Sequence, residues 1–558
     1  MLAQRPWFKS WPKYLEKEVA VQPAPLYSLL TETSRKYGNR PCIHYQGKTF
    51  TYAELNELSS RFASALSSRG LQKGDRVALF MPNIPQFIIG YFGILKSGGI
   101  VVPCSPLYKD RELEYQLRDS GSSIVIAAND IVRGNDLYAS LEHCRDRLAL
   151  KHVISASVTD YLPGLKRSLA GLAKVKNVKR RDTLSFVELV KAHKPLEEFA
   201  EVSPLEDVAV LQYTGGTTGS SKGAMLTHHN LYSAAALGAM ALPLSENDVS
   251  LSVLPLFHIF GMTANMNAPF MAGGKVVLLP RFDVLEVMKT IQKEGVTCFC
   301  GVPSMYVAIN NHPQVAKFKL RTVRVCLSGG APLPMAVRKK FIELTGGNLV
   351  EAYGLTESSA VGTTNPLHEG LVKDGSIGIP FPSTDAQIVA LDNPSRVLDV
   401  GEVGELAVKG PQVMKGYWHR EEETRGVLNS GWLLTGDIAK MDEDGYFFIV
   451  DRKKDMIDVG GLKVYPREVE ELLFEHPAVK EAAVVGMADE QRGEAVKAFV
   501  VLKDNLKASE ADLIEFCRQR IAKYKAPRKV EFVNELPKTL VGKVLRRKLR
   551  EKETTAQQ

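Results

Sequence analysis

Strand-like apolar runs alternate with helix-like patterns through most of this chain, and that rhythm limits the folds open to it. Val77-Ala78-Leu79-Phe80-Met81 carries no polar side chain and follows the turn residues Gly74-Asp75-Arg76. Upstream, Leu55, Phe62 and Leu66 recur at helical spacing, and Thr51 with Glu54 has the form of a capping box. Phe87 to Cys104 reads as a buried helix followed by a strand, broken by Lys96 and Gly98-Gly99. The alternation spans 24–150 and returns at 208–232, 250–282 and 296–350. Strands joined through helices pack as parallel βα units, because the crossover needs a helix's length.

Near residue 376 the texture changes to short alternating strands such as Ala386–Val389 and Gly404–Val408, which suggests a small β-rich subdomain. Asp451-Arg452-Lys453-Lys454-Asp455 marks a joint, and a compact α+β module of helix, two strands, helix and strand follows it. The expected fold is therefore α/β. A large domain occupies 1–452, with its β-rich part at about 376–450, and a small α+β domain occupies 453–558. No run of about 18 apolar residues is present. Met1–Glu18 has no hydrophobic h-region, so a cytoplasmic protein is expected. The seven cysteines are scattered without histidines at zinc spacing, and read as buried free thiols.

Chemistry concentrates first in Tyr213–Gly223. Glycines let backbone N–H groups approach a ligand, hydroxyls donate to phosphate oxygens, and Lys222 adds positive charge. The stretch is built to hold a polyphosphate. It is not a Walker A loop, because Ser221 precedes Lys222 and Gly223 follows it.

Positive charge is unevenly placed. Residues 166–181 hold seven Lys or Arg and no acid, interleaved with apolar residues. Two readings stay open: a solvated surface insertion, and a peripheral contact with an anionic membrane surface on the inner face. Arg518–Arg550 holds twelve basic residues against two acids but no interleaved base-stacking aromatics, so nucleic acid is not an expected partner. A homodimer is also left open.

Four more segments accompany the glycine-rich loop: Glu351-Ala352-Tyr353-Gly354-Leu355-Thr356-Glu357, Leu434-Thr435-Gly436-Asp437, Asp451–Asp455, and Pro537–Lys543. Each is weak alone. In this order and spacing, all five resemble the adenylate-forming superfamily of acyl-CoA synthetases, luciferases and peptide-synthetase adenylation domains. The resemblance runs from about Leu26 to Arg550. Trp7, Leu71–Val77 and Leu113–Asp119 look most like the microbial long-chain fatty-acid–CoA ligase branch.

The resemblance implies a two-step reaction. A carboxylate attacks the α-phosphate of ATP to give acyl-adenylate and pyrophosphate, and the thiol of coenzyme A then displaces AMP. ATP, Mg²⁺ and coenzyme A are the implied cofactors, and a medium- to long-chain fatty acid the implied substrate. Thr214, Gly215, Gly216, Thr217, Thr218, Gly219, Ser220, Ser221 and Lys222 would cradle the outer phosphates. Thr356 would touch phosphate, and Glu357 with Thr217 would bind the metal. Tyr353, with Glu351, Ala352 and Gly354, would face adenine, and Gly330, Ala331 and Pro332 would lie on its other side. Asp437 and Arg452 would hold the ribose.

Lys543 would serve adenylation only. Rotation of the small domain at Lys454 would withdraw it and bring in Gly460 and Gly461 for the pantetheine. His258 falls at the position that closes over the acyl carboxylate. Phe257, Phe260, Gly261, Met262, Val302 and Gly329 would wall the acyl chain, along with Ala264, Ala331 and Val361. No acid stands near His258 to pair with an α-ammonium, which argues against an amino-acid adenylation domain. Asp458 replaces the lysine of beetle luciferases. The rival readings are a ligase for short, hydroxylated or aromatic acids, and a non-catalytic lipid-binding scaffold.

Overall fold

The structure is a computed structural model and describes residues 5–132, 134–169, 174–214, 221–489, 492–538 and 544–556. Two large sheets organise the first domain. In the first, the parallel strands Arg76–Phe80, Ile100–Cys104, Ile124–Ala128, His152–Ala156 and Leu184–Ser185 stand in the spatial order fifth, fourth, third, first, second. In the second, Val249–Ser252, Lys275–Leu278, Cys298–Gly301, Val325–Ser328 and Asn348–Tyr353 repeat that order. Short repeats are not visible in the sequence, yet the topology is used twice. The central strands of the first sheet, from Val77 to Phe80, Ile100 to Cys104 and Ile124 to Ala128, are continuous apolar runs because both faces of the parallel core are covered.

Local signals set the helix ends. Thr51 and Glu54 form the expected capping box on Tyr52–Ser67. Thr227 and Asn230 form another on His228–Ala241, and Asp283 caps Val284–Glu294, which ends at left-handed Gly295. Helix Pro85–Lys96 is buried along its whole length, as its run of apolar residues from Phe87 to Leu95 requires. Each buried Ile, Leu or Phe there contributes roughly 1.5–3 kcal/mol. Its last residue, Lys96, donates to the Asn56 carbonyl and Oδ1 and to the Ser59 and Ser60 hydroxyls at 2.7–3.0 Å. Burial pushes its pKa down to about 7.

One local expectation is corrected. The rhythm at 208–232 suggests a strand–helix unit, but Val208–Thr214 and Lys222–Thr227 pair antiparallel as a hairpin, with Thr214 opposite Lys222. The glycine-rich stretch lies between them, too short for a crossover helix. The hairpin extends the first sheet beyond Ile100–Cys104, and Gly416–Tyr417 joins its far edge.

The β-rich part is a five-stranded sheet running from Asp385–Val389 to Phe447–Arg452. Trp7, 1% exposed, completes its core against Ile377, Ile379, Tyr446 and Phe447. The small domain has its own five-stranded sheet and a separate core around Val469, Val484, Val500 and Leu513. All seven cysteines are buried and free, as expected. Among the described residues no helix is long and apolar enough to cross a membrane.

Candidate active site

The second sheet reverses strand order between Val249–Ser252 and Cys298–Gly301, and such switch points open a crevice at the carboxyl ends of parallel strands. The segments leaving those ends carry His258, Val302, Gly329–Pro332 and Tyr353–Glu357. Topology therefore brings together residues separated by a hundred positions.

The loop bearing His258 is clamped from below. Asn83 donates to the Leu254 carbonyl and accepts from the Leu256 N–H, both at 2.8 Å. Gln212, 4% exposed, donates to the Phe257 carbonyl at 2.9 Å, while its own amide oxygen has no hydrogen-bond partner among the described residues. His258 Nδ1 accepts from the Phe260 N–H at 3.2 Å, which assigns the proton of the neutral ring to Nε2. Gly261 packs so closely that a Cβ would stand 2.2 Å from the Pro255 carbonyl oxygen. A Cβ on Gly329 would approach the Phe260 ring at 3.1 Å, and left-handed Gly330 faces Val302. Phe260, Ala264 and Val302 share one core cluster, whereas Met262 packs into the core of the first sheet.

Gly354 lets Tyr353–Glu357 turn beneath residue 360, where a Cβ would lie 2.2 Å from the Ala360 oxygen. The Tyr353 phenol donates to Asp437 Oδ2 at 2.6 Å, and Arg452 Nε sits 3.1 Å from Asp437 Oδ1. Asp437 and Arg452 are direct partners across antiparallel strands, so the ladder itself sets their pairing. Asp437 is 3% exposed, yet its carboxylate is compensated by Arg452 and Tyr353. Glu351 Oε2 accepts the Leu333 N–H at 3.2 Å, and burial raises its carboxyl to a pKa of about 7.

On the opposite side, Tyr417 donates to Glu357 Oε1 at 2.7 Å, and the Lys222 ammonium lies 5.1 Å from the Tyr417 ring centre. The Met414 N–H donates to the Glu357 carbonyl at 2.8 Å. Sequence reasoning misses Tyr417, for which the aromatic pair in Gly416-Tyr417-Trp418 is the available signal. Ser221 donates its hydroxyl to the Thr214 carbonyl, and its own carbonyl accepts from Tyr115 at 2.8 Å.

Gly215, Gly216, Thr217, Thr218, Gly219, Ser220 and Lys543 lie outside the described residues. Thr214, Ser221 and Lys222 frame the tip of the hairpin that carries the first six. Lys454 lies just past the last strand of the β-rich sheet, and Gly460 and Gly461 form an exposed left-handed turn between Ile457–Val459 and Leu462–Val464.

The donor set suits a magnesium nucleotide. Among the described residues no group of three or more His, Cys, Asp or Glu is arranged to hold a metal. Glu357 presents a carboxylate to Tyr417, whose ring the hairpin lysine also approaches, and Mg²⁺ binds through one or two carboxylates with substrate phosphates supplying other ligands.

The chain matches family models over most of its length. Residues 30–418 match the AMP-binding enzyme model, and 468–543 match the AMP-binding enzyme C-terminal domain model. It is 44% identical to a long-chain-fatty-acid–CoA ligase of Bacillus subtilis (strain 168), covering 99% of both chains. It is 41% identical to one of Salmonella typhimurium (strain LT2), covering 94% of each. Among solved structures, ATP-bound MatB from Rhodopseudomonas palustris superposes with a TM-score of 0.84 at 29% identity, covering 96% of this chain and 100% of the other. A Mycobacterium tuberculosis fatty acyl CoA synthetase superposes at 0.75 and 30%, covering 95% and 99%. With two model matches in order and near-full-length relatives at 44% and 41% identity, the chain belongs to the AMP-binding enzyme family.

Proposed function

We propose that this protein is an ATP-dependent ligase that activates a medium- to long-chain fatty acid as its acyl-adenylate and transfers the acyl group to coenzyme A, releasing pyrophosphate and then AMP. The observation that supports it is that one segment, Tyr353–Glu357, carries two contact sets: Tyr353 with Asp437 and Arg452, and Glu357 with Tyr417, whose ring also lies near the hairpin lysine. Fatty acids are favoured over short or aromatic acids because relatives at 40–44% identity are named long-chain-fatty-acid–CoA ligases. The solved anthranilate and benzoate ligases stand at 28–29%.

The residues divide the work by position. Tyr353 and the Gly330–Pro332 segment would hold adenine, and Asp437 with Arg452 the ribose. Lys222, Thr214 and the loop between them would take the outer phosphates, with Glu357 holding Mg²⁺. Bound there, the metal would neutralise phosphate charge. Lys543 would meet the α-phosphate and the attacking carboxylate, and His258 would close over that carboxylate. Juxtaposing acid and nucleotide can remove on the order of 7–11 kcal/mol of barrier. The apolar wall at Phe260, Ala264 and Val302 would take the chain, each buried methylene contributing about 0.8 kcal/mol. The turn at Gly460-Gly461 would pass the pantetheine after the small domain turns at Lys454. The domains would then be 1–452 and 453–558.

The test is thioester formation across saturated acids from short to long, with benzoate-type and hydroxy acids alongside. kcat/KM should climb with chain length to a plateau. A maximum at a short or aromatic acid refutes the assignment.

The exposed basic segment supports a further contact, with anionic membrane headgroups. Gly164–Ser168 is a short helix and Val175–Asn177 a strand, so 166–181 is not one continuous amphipathic helix. Arg167, Lys174, Lys176 and Lys179 are nevertheless accessible, beside half-exposed Leu169. Binding to phosphatidylglycerol vesicles should occur at low salt and weaken steeply as salt rises. Binding that ignores salt, or none, removes this contact.

A further inference from the structure

Arg467 crosses the joint between the domains with both its backbone and its side chain. Helix Pro466–Phe474 opens the small domain's helical layer, and its N-cap, Tyr465, supplies no side-chain hydrogen bond. The missing acceptor comes from the other side of the joint. Asp451, 3% exposed near the end of strand Phe447–Arg452, accepts the backbone N–H of Arg467 at 2.7 Å. Its other oxygen accepts the Arg452 N–H at 2.7 Å. A carboxylate in the first turn satisfies an orphan donor and meets the positive end of the helix dipole. The Arg467 side chain then reaches back to the same strand, donating to the Ile449 carbonyl at 3.0 Å. It also donates to Glu471 at 2.8 Å within its own helix.

Two further relations give these contacts a place in the reaction. The charge of Arg467 acts on Glu351, which anchors the backbone of the expected adenine wall at Leu333. On the small-domain side the joint is braced. Asp455 receives Arg550, and Arg546 at 3.2 Å, while Arg546 also meets Glu470 at 2.7 Å. Arg546 and Arg550 lie on the helix that follows Lys543. Ile449 and Asp451 precede Lys454, whereas Arg467 follows it, so a rotation at Lys454 moves one set against the other. In the orientation held by these contacts, Gly460, Gly461 and Leu462 are exposed.

We propose that Arg467, seated on Asp451 and Ile449, is a positioning residue that holds the small domain in the orientation with its glycine turn outside the cleft, and so favours adenylation over thioester formation. This rests on the reading that one small domain serves the two half-reactions in two orientations.

The experiment measures both half-reactions in the full-length protein: acid-dependent ATP–pyrophosphate exchange, and thioester formation from supplied acyl-adenylate. Arg467→Ala should lower the first about tenfold, the scale of one hydrogen bond to a charged group. It should leave the second within about twofold. Arg467→Lys, which keeps charge and a donor, should recover most of the loss. Asp451→Asn, which keeps an acceptor for the N–H, should fall between. Should Arg467→Ala prove unstable in thermal unfolding, the other two variants carry the test. Lys543→Ala is the reference. If it splits the half-reactions and no Arg467 or Asp451 variant does, the latch is refuted. If Lys543→Ala itself lowers both equally, the two-orientation reading fails first. Equal losses in both half-reactions for Arg467→Ala, tracking a drop in melting temperature, would mark a structural role only and overturn the proposal.

Discussion

The Tyr353 hydroxyl donates to Asp437 Oδ2 at 2.6 Å, joining residues 84 positions apart. That contact ties the wall expected to face adenine to the carboxylate expected to hold ribose. Asp437→Asn should raise KM for ATP about 10- to 100-fold, because it weakens charge-assisted hydrogen bonds and leaves Arg452 without its anion. kcat should change little if the ribose contact is equal in ground and transition states. Tyr353→Phe keeps the ring and should cost less than about fivefold. A larger effect from Tyr353→Phe than from Asp437→Asn would reverse the assignment. Steady-state kinetics at saturating acid and coenzyme A decides it.

Lys543→Ala should reduce acyl-adenylate formation by about 10²–10³-fold, the scale of removing one preorganised charge contact to a developing transition state. Thioester formation from supplied acyl-adenylate should stay near normal. Single-turnover assays of each step check this.

Gly354 has no room for a side chain. A methyl group there would stand 2.2 Å from the Ala360 oxygen and 2.3 Å from its carbonyl carbon. Backbone on both sides must move, so Gly354→Ala should cost about 3 kcal/mol or more and displace Thr356 and Glu357. Denaturant unfolding with ATP-binding calorimetry measures both. Wild-type stability in this variant would mean that the turn can relax.

Lys96→Met should stabilise the fold at neutral pH. The folded-state pKa of Lys96 is about 7, below its ordinary 10.5, so the charged form is disfavoured on folding. The lysine's contribution is therefore fully present above about pH 10.5 and lost as pH falls toward 7. No carboxylate is among its hydrogen-bond partners, which are oxygens of Asn56, Ser59 and Ser60. Those hydroxyls also bond the Asn56 carbonyl, so an apolar replacement leaves them partnered. Lys96→Met should gain about 2 kcal/mol at pH 7, and the gain should shrink by pH 10. Urea midpoints at the two pH values test the sign. A loss at pH 7, or a difference independent of pH, would show that the lysine contributes through its hydrogen bonds.

Much of the fold is legible in the order of the residues because its signals are local. The Thr51–Glu54 box, the apolar run ending at Lys96 and the Gly-Gly turn after Ser328 each report on a few neighbouring residues. The hairpin at 208–227 is not, since a glycine-rich link between two apolar runs fits either a crossover or a reversal until the partner strand is known. The repeated strand order is hidden for a related reason. Parallel cores demand only apolar runs of similar length, so two copies need share no recognisable words.

The same division holds at the site. Residue types alone single out Tyr213–Gly223 as a stretch suited to phosphate, whereas Tyr353–Glu357, Asp437 and the joint, each weak alone, stand out through the order and spacing that resemble a known family. Tertiary structure decides which of them act on one another. Ladder register places Asp437 opposite Arg452, and Ala224 opposite Tyr417 sets the phenol that holds Glu357. Packing across the joint sets Arg467 on Asp451. Hydrogen bonds reach about 3 Å, whereas these partners are separated by up to scores of residues along the chain. Only the closure of the sheets brings them within that range.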